Sequence, residues 1–430
     1  MKNYVKLFLL SAMIILSNIP ADANWIGSEN DISINAEIRN TQYTQSTQHT
    51  PHSNRDSLPE GVTKEWLNSL TDERGQKIVQ PEEGGDAMQE RFFTGYAAGD
   101  QFGYSVSSAG DVNSDGYADL IVGAPFNDAG GLNAGRAYIY FGGSIINSGV
   151  DVILTGLAAS DRFGFYVSTA GDVNGDGYSD VIVGAPFNNA GGTDAGRAYI
   201  YFGGSAMNNV ADLIMTGEAA GDQFGSSVSS AGDVNGDGYS DVIVGAILND
   251  AGGTGAGRAY IYFGGSSMNN VADLIMTGEA GSDQFGVSVS SAGDVNGDGY
   301  SDVIVGANGN DAGGSNAGRA YIYFGGSAMN NVADVIMTGA AAGDQFGISV
   351  SSAGDVNGDG YSDVVVGAYR YDNGQNDEGR AFVYHGSAAG LSATPNSTPD
   401  DANQAGASFG ISVSGAGDVN GDGYSDVIIG

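Results

Sequence analysis

The sequence predicts an all-β fold made of repeated four-stranded units, and three observations carry that prediction. A nine-residue motif, Asp172-Val-Asn174-Gly-Asp176-Gly177-Tyr178-Ser-Asp180 in its second copy, begins at Asp111, Asp172, Asp233, Asp294, Asp355 and Asp418, with spacings of 61, 61, 61, 61 and 63 residues. Each copy leads at once into a β-branched run such as Val181-Ile-Val183. Between copies, short apolar or alternating runs are separated by Gly and Asn clusters, the pattern of strands and turns.

Taken in order, residues 1–23 read as a secretory signal. Lys2 and Lys6 precede an apolar stretch from Leu7 to Leu16, and Pro20-Ala-Asp-Ala23 offers a small-residue cleavage site. The apolar stretch is short for a membrane span, which needs about 20 residues; an uncleaved anchor is the alternative. Residues 24–89 read as a polar linker without periodicity. Within it Val62, Trp66, Leu67 and Leu70 lie at helical spacing and predict one short helix ended by Gly75.

From residue 90 onward the repeat takes over, and one copy shows its logic. Phe163 to Gly171 is a first strand leading into the acidic motif. Val181 to Ala185 is a second, continuously apolar as in strands buried on both faces. Arg197 to Phe202 is a third, with Ala198, Ile200 and Phe202 alternating against Tyr199 and Tyr201. Ala211 to Thr216 is a fourth. Four strands in 61 residues fit one blade of a β-propeller, somewhat longer than the roughly 50 residues of a kelch unit. A ring of such blades also leaves only short, protected edges.

The acidic motif has the chemistry of a cation loop. Oxygen side chains at positions 1, 3, 5 and 9, with a main-chain carbonyl at 7, are what calcium needs, because it takes six to eight oxygens. The glycine at position 6 lets the backbone fold around the ion. The candidate ligands are Asp111, Asn113, Asp115, Tyr117 and Asp119; Asp172, Asn174, Asp176, Tyr178 and Asp180; Asp233, Asn235, Asp237, Tyr239 and Asp241; Asp294, Asn296, Asp298, Tyr300 and Asp302; Asp355, Asn357, Asp359, Tyr361 and Asp363; Asp418, Asn420, Asp422, Tyr424 and Asp426. One Ca2+ per loop, up to six, is the expectation. A metal-free Asx/Gly turn uses the same residue types and is the alternative. The motif is not an EF-hand, since position 12 is valine or isoleucine instead of a bidentate glutamate.

Phe163-Gly164 and Gly184-Ala185-Pro186, bracketing the acidic loop, resemble the FG-GAP repeat of integrin α-subunit β-propellers and their bacterial relatives. The resemblance covers residues 91–430. Gly-Ala-Pro is intact at Gly123-Ala-Pro125 and Gly184-Ala-Pro186, and later copies read Gly245-Ala-Ile, Gly306-Ala-Asn and Gly367-Ala-Tyr. The resemblance implies calcium in the acidic loops and a ring of seven blades. About five and a half repeats are present, the last stopping inside its second strand, so a C-terminally truncated propeller is expected; a looser six-bladed ring is the alternative.

Composition narrows the function classes. The net charge is −36, and from Glu90 onward there are 39 Asp plus Glu, 8 Arg and no Lys, which excludes a phosphate-binding surface and hence nucleic acid. Eighteen of those 39 acids are the aspartates of the six loops, so bound cations would remove much of the excess. No cysteine is present, so stability outside the cell has to come from packing and metal. His49, His52 and His385 are scattered, and no nucleophile–base set, zinc spacing or phosphate loop is legible. The expectation is therefore a non-enzymatic, secreted or cell-surface propeller acting in adhesion or in recognition of an extracellular protein or carbohydrate. The alternatives are the non-catalytic portion of a larger secreted hydrolase or lyase, and a structural spacer. The Arg of Gly-Arg-Ala-Tyr (Arg136, Arg197, Arg258, Arg319, with Arg380 in the variant Gly-Arg-Ala-Phe) is expected to pair with a neighbouring acid, and Asp100, Asp161, Asp222, Asp283 and Asp344 have no evident role. Meander geometry puts the cation loops at one end of the blades. The opposite end, with 188–196 and 217–223, is a platform for a partner, and the irregular fifth repeat (369–376 and 386–407) marks a site.

Overall fold

A computed structural model describes residues 5–6, 92–97, 99–143, 149–400 and 404–430. The 1–23 signal reading, apart from Val5–Lys6, and the 24–89 linker with its short helix lie outside the described residues. A two-residue pairing of Val5–Lys6 with Phe92–Phe93 precedes the first full sheet.

Four antiparallel meanders of four strands follow. The first sheet is Val106–Gly110, Asp119–Ala124, Arg136–Tyr140 and Val152–Thr155. The second is Tyr166–Gly171, Asp180–Ala185, Arg197–Tyr201 and Leu213–Thr216. The third and fourth repeat this order, starting at Phe224–Gly232 and Val289–Gly293. The fifth sheet has three strands, Ser349–Gly354, Asp363–Ala368 and Arg380–Tyr384, and the sixth has two, Val413–Gly417 and Asp426–Ile429. The four strands expected of a repeat are thus present where expected, with edges within three residues of the sequence reading. In the fifth repeat the 386–407 segment replaces the fourth strand; an isolated bridge from Val383 to Ser397, backbone bonds from Ala381 N to Pro399 O and from Asn396 N to Val383 O, and the Arg380–Asp400 pair hold it against the third strand.

First strands of successive sheets lie side by side in chain order, and the sheets form a row that is not closed. The core is a series of layers, each shared by two neighbours. Between the first and second sheets, Ile121, Ile139 and Leu154 pack on Phe163, Val181, Val183, Tyr199 and Tyr201. Ile182, Ile200 and Met215 point the other way, into the layer against the third sheet. The second strand is therefore buried on both faces, as its unbroken apolar run requires.

The two glycines of the Phe-Gly and Gly-Ala-Pro elements meet between sheets. A Cβ on Gly184 would lie 2.1 Å from the Gly225 carbonyl oxygen, and Gly225 itself has φ +84°. The same encounter joins Gly123 to Gly164 and Gly306 to Gly347. Close backbone approach lets each phenylalanine, Phe224 for example, enter the layer edge-on to Tyr260 at 5.3 Å.

Gly184→Ala should therefore destabilise the fold by about 1–3 kcal/mol, because backbone atoms on both sides have to move apart. Gly177→Ala meets nothing within 4 Å but sits at φ +88°, so it should cost about 1 kcal/mol from conformation alone. Denaturant melts of the two variants beside the parent check both values; a Gly184→Ala variant as stable as the parent would show that the inter-sheet contact at Gly184 yields without cost.

Candidate metal centre

Each acidic loop joins the first strand of a sheet to the second, and its side chains are tied to its own backbone. In the second loop Asp172 Oδ1 accepts from the N–H groups of Gly175 (2.7 Å) and Asp176 (3.1 Å), and Oδ2 accepts from Gly177 (2.9 Å). Asn174 Oδ1 accepts from Asp176 N at 2.8 Å, and its Nδ2 donates to Asp176 Oδ2 at 3.0 Å. Asp176 Oδ1 accepts from Tyr178 N at 3.1 Å. The loops at Asp233, Asp294 and Asp355 repeat every one of these bonds. The first loop has Ser114 at φ 58° where the others have glycine. In the last, Asn420 Nδ2 turns to Asp426 at 3.5 Å.

The ninth residue does something different. Asp180 is fully buried; its Oδ2 accepts from Val173 N within the loop, and its Oδ1 accepts from Gly203 N beyond the third strand, both at 2.8 Å. Asp119, Asp241, Asp302 and Asp363 make the same pair of bonds, which fasten the acidic loop to the turn between strands three and four. Burial pushes the carboxyls of Asp180, Asp241 and Asp302 up to about 7, with the charges at positions 5 and 1 adding to the rise. Exposed Asp418 is held below the usual carboxylate range by the Gly423 N–H and its neighbours.

Each set of five candidate residues thus falls in one nine-residue loop, and the donors are the hard oxygens that a divalent cation takes. Their geometry is that of a hydrogen-bonded turn: among the described residues no three carboxylate or imidazole groups converge as a metal-holding cluster. The donor chemistry fits calcium, and the loops place their carboxylates beside one another with no lysine or arginine paired to them among the described residues.

Other polar residues acquire roles that the sequence alone did not show. Asp161 is buried and accepts from Asn188 Nδ2 at 2.7 Å, while Asn188 Oδ1 accepts from Ala190 N and its Nδ2 lies 3.4 Å from the Tyr199 hydroxyl. Asp100, Asp222 and Asp283 form the same tie with Asn127, Asn249 and Asn310. The recurrence of that asparagine at 61-residue intervals was the available signal. In the fifth repeat Tyr371 and Phe382 stand in its place, so Asp344 lacks the partner. The expected arginine pairs are present for Arg258–Glu218, Arg319–Glu279 and Arg380–Asp400, each 2.7 Å, whereas Arg136 and Arg197 bond Thr155 and Thr216. The fifth repeat also carries a groove of about 390 Å³ beside its acidic loop, lined by Asn357, Asp359, His385, Ser387, Leu391 and Asn396 among others.

Fold and loops together define an all-β repeat protein in which each antiparallel sheet carries one acid-rich loop between its first two strands. A family model described as FG-GAP repeat matches residues 102–140, 164–201, 224–262, 285–323 and 346–384, and the chain is an FG-GAP repeat protein similar to integrin α-subunits. It is 33% identical to integrin alpha-5 of Xenopus laevis over 52% of this chain and 21% of that protein. It is 36% identical to integrin alpha-6 of Gallus gallus over 37% and 14%, and 36% identical to integrin alpha-PS2 of Drosophila melanogaster over 36% and 12%. The chain thus corresponds to about a fifth or less of the length of these relatives.

The raised carboxyls give the cation-free protein a distinctive pH response. A carboxyl with folded pKa about 7 against 3.8 unfolded contributes stability that is complete below pH 3.8 and lost as pH rises through 7. In chelator, the melting temperature should rise as pH is lowered from 8 to 5. A melting temperature that falls over this interval would show that these aspartates are stable as anions without a cation.

Proposed function

We propose that this chain is an extracellular, calcium-stabilised binding propeller that acts in adhesion or in recognition of a protein or carbohydrate. The observation that carries the cation reading is the sixfold presence of one oxygen-donor set in a part of the chain with 39 acids, 8 arginines and no lysine. A single acidic turn is a commonplace of β-structure, but six with the same donor set at one end of the sheets concentrate negative charge that a divalent ion would relieve. In each loop, positions 1, 3, 5 and 9 would supply side-chain oxygens and position 7 its carbonyl. Calcium would neutralise the buried aspartate at position 9 and lock the hairpin between the first two strands. Similarity to integrin α-subunits supports the adhesion side of the reading, with export directed by residues 1–23. Among the described residues no helix is long and apolar enough to cross a membrane.

Two measurements test the cation. Calcium that binds the folded loops and not the unfolded chain stabilises by mass action, so a chelator should lower the melting temperature, and millimolar calcium should restore it. Asp237→Ala removes one carboxylate from the third loop and should reduce the bound calcium by one ion per molecule in a calorimetric titration. If the loop is only a turn, the substitution loses the bonds from Tyr239 N and Asn235 Nδ2, about 1 kcal/mol, and the number of bound ions stays as in the parent.

A further inference from the structure

The end of the sheets opposite the acidic loops carries a patch that the repeat pattern does not explain. Tyr104 and Phe165 occupy the same position in the first two repeats, after Phe-Gly, where the later repeats have Ser226, Val287, Ile348 and Ile411. Tyr166 stands where every other repeat has serine, and Phe126 and Phe187 stand where the next three have Leu248, Gly309 and Arg370. These five departures are contiguous in space. The ring of Tyr104 lies 4.7 Å from Phe165, which in turn lies 5.5 Å from Tyr166 and 5.9 Å from Phe187. Tyr104 is 48% exposed and Tyr166 37%, so both rings are open to a partner while packed on Phe165.

A sixth departure sits among them. Arg162 replaces the glutamine found at Gln101, Gln223, Gln284 and Gln345. Its guanidinium lies over the rings of Phe187 at 4.1 Å and Phe126 at 4.9 Å. Among the described residues Arg162 has no carboxylate partner, unlike Arg258, Arg319 and Arg380. The rings hold the faces of the guanidinium and leave its N–H edge available, the pre-organised fork that takes a planar carboxylate in two parallel bonds.

We infer that this patch binds an acidic sugar, a pyranose ring bearing a carboxylate. The carboxylate would pair with Arg162, the apolar face of the ring would stack on Phe165 and its neighbours, and the Tyr104 and Tyr166 hydroxyls would meet the sugar hydroxyls. Charge decides against the competing anions. A chain with net charge −36 repels nucleic acids and densely acidic peptides at long range, whereas a sugar carries few charges on a body that aromatic rings can hold. The inference deepens the recognition reading above by naming its ligand class, and it does not depend on calcium in the loops.

The experiment titrates the chain, in calcium, with a disaccharide bearing a single galacturonic acid, its methyl ester and a glutamate-rich peptide. Arg162→Gln and Phe165→Ser/Tyr166→Ser import residues that other repeats already carry at these positions, so melting curves should stay near the parent's. The acid should bind; Arg162→Gln should weaken it about ten- to hundredfold, the weight of a charge-assisted bond, and bring it level with the ester. The double variant should weaken acid and ester alike. Equal binding of acid and ester by the parent, variants that bind as the parent does, or the peptide binding as tightly as the sugar would each overturn the inference. Absence of sugar binding in samples that still take up calcium overturns it too, and leaves the cation reading standing.

Discussion

Everything in this fold depends on one packing constraint: a sheet with two apolar faces is soluble only between two others. Val181, Val183 and Ala185 face one neighbour and Ile182 the other, so no repeat buries its core alone, and stability accumulates through interfaces. The glycine encounters between sheets follow from this. Backbones brought to within van der Waals contact at Gly184 and Gly225 leave no room for a Cβ, and the phenylalanine beside Gly225 gains its depth in the layer from that closeness. The sixth sheet shows the converse. Among the described residues it has a neighbour on one side only, and its Ile428 is more than half exposed.

The acidic loops answer a different demand. A hairpin turn needs donors and acceptors for its own backbone, and Asx side chains supply them; a cation needs the same oxygens. The two uses differ at position 9. Asp180 has both oxygens bonded to backbone N–H groups yet remains pushed up to about 7, because neutral donors offset only part of the burial of its charge and Asp172 and Asp176 add to the cost. A carboxylate accepts on both oxygens, whereas an asparagine would set its Nδ2 donor against one of the two N–H groups, so fastening the loop to the turn by itself calls for aspartate. What a metal-free loop leaves uncompensated is the charge of that carboxylate, buried beside Asp172 and Asp176.

Much of this was legible in the sequence because the signals are local. Val181-Ile-Val183 announces a strand, the Asp/Asn/Gly spacing announces a tight oxygen-rich loop, and six copies announce a repeat. The Asp161–Asn188–Tyr199 tie is visible in the sequence only as an asparagine recurring at 61-residue intervals, since its members lie 27 and 11 residues apart and each is an ordinary residue where it stands. The aromatic patch was hidden for a related reason. Tyr104 and Phe165, like Phe126 and Phe187, are one full repeat apart, and only stacking of the sheets makes a separation of 61 residues a contact of 4.7 Å. The fifth repeat, by contrast, stands out in a linear reading because it changes the spacing of the repeats and the count of strands.

The two ends of the sheets therefore divide the work in a way that comparison of the repeats with one another makes visible. At the acidic end the same donor set is kept six times, the mark of a role that each sheet needs equally, such as holding its first hairpin. At the opposite end the frame is kept by Asp161, Asn188 and their counterparts, while positions 104, 126, 162, 165 and 166 vary freely without disturbing the strands. Variation that the fold tolerates but does not require is available for recognition. Its concentration on two adjacent sheets, as five aromatic side chains around an arginine that pairs with no acid among the described residues, is what a contact surface requires and what a uniform repeat would not produce.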